Sequence, residues 1–213
     1  MSTAHFLHIL KETKLIAILR GISPTEVIET AQILVASGFK IIEVPLNTPQ
    51  ALESISKLIQ HYRDQPEVII GAGTVCSVED LDRLSELGCD LIISPHTDRE
   101  IIRKTKAHGM ISCPGFTTAT EAYTAIHAGA DLLKLFPFSR LGTKYYHDIV
   151  TVLPHDFPLV AVGGISEENI CEFLDAGVSF FGMGSALYRA GMRAEEIKLH
   201  ANRLIKETTL CQK

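Results

Sequence analysis

The chain has 213 residues, 46% of them hydrophobic and 21% charged, with a formal net charge of −5 at neutral pH. That length suits one α/β domain with a sizeable core, and the acidic balance excludes nucleic acid as the main partner, because no basic stripe is present to neutralise phosphates. No apolar run approaches the roughly 20 residues a membrane span needs, no N-terminal apolar core precedes a small-residue cleavage site, and the five cysteines (76, 89, 113, 171 and 211) show no C-x-x-C spacing. A soluble cytoplasmic protein with no membrane partner, no disulfide framework and no metal site is therefore expected.

In chain order, Phe6, Leu7, Ile9 and Leu10 predict a short amphipathic helix. Eight short apolar runs then read as strands: Leu15–Leu19, Ile41–Val44, Val68–Ile70, Leu91–Ile93, Met110–Ser112, Leu132–Leu135, Leu159–Val162 and Phe180–Met183. Helical periodicity fills the gaps, as in Val27-Ile28-Ala31-Leu34 and Leu81-Leu84-Leu87. The helix starts carry capping-box spacing at Ser23–Glu26, Thr97–Glu100 and Thr118–Glu121, and Thr48-Pro49 puts proline at a first helical turn. Gly38, Gly88, Gly109, Gly129 and Gly177 each stand between a helical run and the next strand, where a left-handed residue stops a helix. Eight βα units with short connections over residues 1–213 predict a single-domain (β/α)8 TIM barrel with a short N-terminal helix. A doubly wound sheet would carry G-x-G-x-x-G after its first strand, where this chain reads Leu19-Arg20-Gly21-Ile22.

Barrel chemistry gathers at the C-terminal ends of the strands. Those positions here are Arg20, Glu43, Asn47, Thr74, Pro95, Pro114, Lys134, Gly163-Gly164 and Gly184-Ser185. Lys134 stands alone in the apolar run Asp131–Pro137. Such a lysine either snorkels to water or is held in an apolar pocket as a nucleophile for carbonyl carbon. Glu43, inside Ile41–Pro45, is either a structural ion-pair partner or a general acid/base set across the barrel from Lys134. The glycine pairs after the seventh and eighth strands read as phosphate turns, each expected to open a helix whose N-terminus adds positive charge. Arg20 suits a carboxylate or phosphate, Phe136-Pro137 a mouth wall, and His96 an ordinary loop. No His/Asp/Glu cluster has metal-ligand spacing and no nucleophilic serine motif occurs.

Leu15–Gly21, Glu43–Leu46, Gly71–Val75, Cys113–Gly115, Lys134–Pro137 and Gly163–Ile165 occur in that order. Together they resemble the class I aldolases that cleave 2-keto-3-deoxy-6-phospho-sugar acids. The resemblance covers nearly the whole chain. It implies Lys134 as the Schiff-base lysine and Glu43 as the general acid/base, with no cofactor. It implies Arg20, Thr74, Pro95 and Phe136 at the pyruvate end, and Gly163, Gly164, Gly184 and Ser185 around the phosphate of a small phosphorylated keto acid. It further implies a homotrimer. Where gluconate-type members usually carry Leu-Arg-Thr, this chain reads Leu46-Asn47-Thr48, and Val162 replaces their usual threonine before the two glycines. Both departures resemble the galactonate-type branch, while Phe136-Pro137-Phe138-Ser139 departs from the commonest form of either. The competing expectations are the gluconate-specific enzyme, a phosphate-binding barrel isomerase or synthase without an imine, and a non-catalytic barrel.

Overall fold

A computed structural model describes residues 1–211; the last two positions of the predicted domain lie outside the described residues. Helix α1 (Thr3–Thr13) begins at Ser2, whose side chain accepts from the His5 N–H, and ends at Lys14 in the left-handed region. Then follow β1 (Leu15–Ile18), α2 (Val27–Ala36), β2 (Ile41–Pro45), α3 (Ala51–Tyr62), β3 (Ile69–Gly73), α4 (Val78–Leu87), β4 (Leu91–Ile93) and α5 (Arg99–Ala107). The second half comprises β5 (Ile111–Cys113), β6 (Gly115–Phe116), α6 (Ala119–Ala128), β7 (Leu133–Leu135), α7 (Phe138–Val150), β8 (Leu159–Val162), α8 (Ile170–Asp175), β9 (Phe180–Met183) and α9 (Ala194–Leu210). All ladders are parallel, in the order β5-β4-β3-β2-β1-β9-β8-β7-β6.

Among the described residues nine strands stand where eight were expected, because the fifth is broken at Pro114. A proline has no N–H to give a ladder, so β5 pairs with β4 while β6 pairs with β7. The chain closes the barrel across that break. The Leu132 N–H donates to the Ser112 carbonyl at 3.3 Å and the Lys134 N–H to the Pro114 carbonyl at 2.9 Å. Gly115 then passes so near β4 that a Cβ there would lie 2.4 Å from the Pro95 carbonyl oxygen.

The period-two alternation of the strands divides the core into two layers. Leu15, Ala17, Ile42, Val44, Ile70, Ala72, Leu133, Leu135, Ala161, Phe181 and Met183 face outward onto the helices in one buried cluster. Ile16, Ile18, Ile41, Ile69, Leu91, Ile93, Ile111, Cys113, Leu132, Val160, Val162 and Phe180 form a second cluster inside the barrel. Phe6, Ile9 and Leu10 of α1 belong to that inner cluster. The leading helix therefore plugs the N-terminal end of the barrel, and burial of each such side chain contributes about 1.5–3 kcal/mol.

Several local expectations need correction. Asp98, not Thr97, caps α5, accepting from the Glu100 and Ile101 N–H groups. Thr97 is drawn away to donate to the Gly115 carbonyl at 2.9 Å. Helix α3 starts at Ala51, beyond Pro49, because Gln50 has φ 55° and cannot continue a helix inward. Thr48 instead accepts from the Gly21 N–H at 2.9 Å, tying the first two strand ends together. Thr118 and Glu121 do form the expected capping box. Cys171 and Cys211 are joined as a disulfide across 40 residues. Packing of α8 against α9 brings them together, which no local spacing could reveal.

Asp131 fastens the seventh strand to its surroundings. Its carboxylate accepts from Lys106 Nζ at 2.6 and 2.7 Å, from the Ser112 N–H at 2.8 Å and from Thr3 Oγ1 at 2.6 Å. Asp131→Ala leaves the ammonium and the N–H without this partner and is expected to cost about 2–4 kcal/mol of stability by urea denaturation. A loss below about 1 kcal/mol would show that the cluster is replaced by water at no cost.

Candidate active site

Lys134 on β7 and Glu43 on β2 occupy inward positions on opposite sides of the barrel, with β1, β9 and β8 between their strands on one side. Both line one interior cavity with Ile16, Ile18, Ile93, Cys113, Val160, Val162 and Gly182. Lys134 is 9% and Glu43 3% exposed. The lysine therefore does not snorkel to water. Two glycines make room for these groups. A Cβ at Gly73 would lie 1.9 Å from Glu43 Oε2, so the carboxyl group rests on the space that residue leaves. A Cβ at Gly182 would lie 2.8 Å from Val162 Cγ2.

Burial dominates the electrostatics of both groups. It pushes Glu43 up from an ordinary 4.5 to about 7, against the opposing pull of Lys134 and Arg20. It also lowers Lys134 from 10.5, against the attraction of Glu43 and Cys113. Both shifts are toward the uncharged form of the group. Glu43 Oε2 has no hydrogen-bond partner among the described residues and is free to meet a bound molecule. Lys134 Nζ lies 5.2 Å from the centroid of the Phe136 ring, which forms an exposed wall above it.

Outside this cavity opens a pocket of about 340 Å³ lined by Ile18, Arg20, Phe136, Val162, Gly163, Gly164, Ile165, Gly182, Gly184, Ser185, Tyr188, Arg189 and Ala190. Val162 and Gly182 line both spaces, so the valine stands where the inner cavity meets the mouth. Arg20 Nη1 donates to Asn47 Oδ1 at 2.5 Å, which fixes the guanidinium at one edge. Gly163 and Gly164 have φ 101° and 73°, a conformation a side chain would strain. Their Cβ positions are also filled, by the Phe136 ring at 3.1 Å and by Ser139 Oγ at 2.0 Å.

Of the residues singled out in the sequence, Arg20, Phe136, Val162, Gly163, Gly164, Gly184 and Ser185 meet in the mouth, and Asn47 joins them through Arg20. Thr74 and Pro95 line neither space, although they follow β3 and β4 at the same end of the barrel. Thr74 is a β-branched residue at φ 55°, a strained conformation. The expected long helices do not open at the glycines themselves. The Gly163-Gly164 turn is separated from α8, a helix of six residues starting at Ile170, and Gly184-Ser185 leads into a turn, with α9 starting only at Ala194. Sequence reading missed Tyr188 and Arg189, which sit in that turn and carried no periodic signal. Among the described residues, one group has metal-compatible donors, Cys171, Glu207 and Cys211. Its two sulfurs are bonded to each other on α8 and after α9.

The raised Glu43 makes stability pH-dependent. Between about 4.5 and 7 the folded chain holds this proton while the unfolded chain has lost it, so stability falls as pH rises through that window and levels off above it. At 1.36 kcal/mol per tenfold change in proton affinity the window is worth about 3 kcal/mol. Denaturation of the wild type and Glu43→Gln from pH 4 to 8 is expected to show the variant gaining about that much relative to the wild type. Parallel profiles would mean that Glu43 titrates normally.

Residues 7–201 match the family model described as "Aldolase: KDPG and KHG aldolase". The chain is similar to the 2-dehydro-3-deoxy-6-phosphogalactonate aldolase of Escherichia coli (strain K12), with 44% identity over 90% of this chain and 93% of that protein. It is also similar to a solved structure described as native KDPGal, with 43% identity, a TM-score of 0.89, and coverage of 92% of this chain and 95% of that one. A cube-shaped protein cage designed by fusing symmetric oligomeric domains matches with the same identity and TM-score, over 93% of this chain and 73% of that one. With this match over most of its length, the chain belongs to the KDPG and KHG aldolase family and is a carbon–carbon lyase.

Proposed function

We propose that the chain cleaves 2-dehydro-3-deoxy-6-phosphogalactonate to pyruvate and glyceraldehyde 3-phosphate through an imine on Lys134. The observation that carries this reading is the pair Lys134 and Glu43, buried in one cavity and both shifted toward their neutral forms. The free amine adds its lone pair to the C2 ketone while the Glu43 carboxyl group donates a proton to the departing oxygen. Loss of water leaves a protonated imine. The Glu43 carboxylate, having given up its proton, then takes the C4 hydroxyl proton as the C3–C4 bond breaks, releasing glyceraldehyde 3-phosphate, and the bonding electrons pass to the imine nitrogen as an enamine. Protonation at C3 and hydrolysis return pyruvate and the free lysine. Arg20, held by Asn47, suits the carboxylate end, with Phe136 beside it in the mouth and Thr74 and Pro95 at the ends of β3 and β4, and Gly163, Gly164, Gly184 and Ser185 suit the phosphate.

The choice of the galactonate epimer rests on Val162. The two substrates differ in the orientation of the C4 hydroxyl, and Val162 stands between the cavity of Lys134 and the mouth. A valine gives that hydroxyl no partner, whereas a threonine would, and an unpaired buried hydroxyl is penalised. The whole chain works as one barrel domain, in the cytoplasm, where phosphorylated sugar acids are metabolised. The disulfide removes the cysteine argument for that compartment. Similarity to a symmetric oligomeric building block supports assembly as a homotrimer.

Pyruvate with borohydride is expected to leave a reduced adduct on Lys134, mapped by peptide mass spectrometry, and Lys134→Ala to abolish adduct and cleavage. An adduct on another lysine, or turnover without one, would overturn the imine assignment. In kcat/KM comparisons on the two epimers, the wild type is expected to favour phosphogalactonate, and Val162→Thr to shift the ratio toward phosphogluconate by about tenfold or more. An unchanged ratio would remove Val162 as its cause.

A further inference from the structure

The mouth pocket has two cations at its edges, and one of them has no assigned work. Arg20 is anchored by Asn47, and its charge is felt by both Glu43 and Lys134, which places it toward the reacting end. Arg189 lines the same pocket just past the turn that carries Gly184 and Ser185, after β9, the strand that pairs with β1. Its Nε donates to the Ser185 carbonyl at 2.9 Å, which orients the guanidinium plane. Both Nη groups remain for a ligand. Among the described residues the arginines in ion pairs are Arg63, Arg193 and Arg203; Arg189 has no carboxylate partner.

The need for a cation here follows from what the fold does not provide. A phosphate bound by glycine turns usually draws on the positive end of a following helix. Here α8 is short and set back from Gly163-Gly164, and the Gly184 turn closes on itself, with the Leu187 and Tyr188 N–H groups donating back to the Gly184 carbonyl at 2.9 and 3.0 Å. The N–H groups of Gly164 and Ser185 donate to no acceptor among the described residues and can still bind oxygen. They are neutral donors, and a phosphate carries close to two negative charges.

We infer that Arg189 is the phosphate-binding cation of this pocket. It clamps the substrate's distal phosphate through its two Nη groups, as Arg20 holds the carboxylate at the other end. Arg189 is then a specificity-determining residue for phosphorylated substrates, and this role rests on the aldolase reading above.

The test compares the wild type with Arg189→Gln and Arg189→Lys on the 6-phosphorylated keto acid and on its unphosphorylated counterpart. Charge-assisted hydrogen bonds of this kind correspond to about 10–100-fold in binding. Arg189→Gln is expected to lose about that factor in kcat/KM on the phosphorylated substrate, at least tenfold more than on the unphosphorylated one, with partial rescue by Arg189→Lys. Inorganic phosphate, titrated by calorimetry against each protein without substrate, is expected to bind Arg189→Gln at least tenfold more weakly. Equal losses on both substrates, or unchanged phosphate affinity, would overturn the assignment. Because the phosphate titration needs no turnover, it decides on Arg189 even if no imine forms on Lys134, so failure of the two readings can be told apart.

Discussion

The structure depends on a contest between burial and attraction inside the barrel. Lys134 and Glu43 would ordinarily form an ion pair, and each stabilises the other's charged form. Removal from water is the larger effect for both, so burial shifts each toward its neutral form. A protein selected for stability alone would fill these two positions with apolar residues, like those of the surrounding inner cluster. Keeping a lysine and a glutamate there lowers stability, which is the ordinary condition of a reactive site.

The surrounding architecture makes that contest possible. Helix α1 closes the N-terminal end with Phe6, Ile9 and Leu10, so the interior reaches solvent through the C-terminal mouth. Gly73 and Gly182 leave the space into which Glu43 and Val162 fit. Asp131 holds the start of the seventh strand to α1, α5 and the fifth strand, which sets the register that points Lys134 inward. The polar apparatus at the mouth can then vary around a fixed reactive pair, and Ile18, Val162 and Gly182 are shared between the two zones.

Much of this was legible in the sequence because strand alternation has a strict period. Once the runs Ile41–Pro45 and Leu132–Leu135 are read as strands, Ile41 and Glu43 share one face and Leu132 and Lys134 another, and the inner positions follow. The glycines that end helices were equally clear, since all five have positive φ. The break at Pro114 was not clear. A proline after Cys113 could end a strand, but only pairing with both neighbours shows that the strand resumes at Gly115. Arg189 gave no local signal either, since its importance comes from the pocket it lines and from the absence of a helix after Gly184. The disulfide depends on two helices meeting across 40 residues, a contact without a sequence period.

The central claim is that burial outweighs pairing with Glu43 and lowers the proton affinity of Lys134. The most direct measurement is an NMR titration of the lysine side chain, with 13C at Cε and the Lys134→Arg variant used to assign the signal. A midpoint well below the ordinary 10.5 is expected. A midpoint at or above that value would mean that the ion pair prevails, and would contradict the account of a free amine poised to attack a ketone.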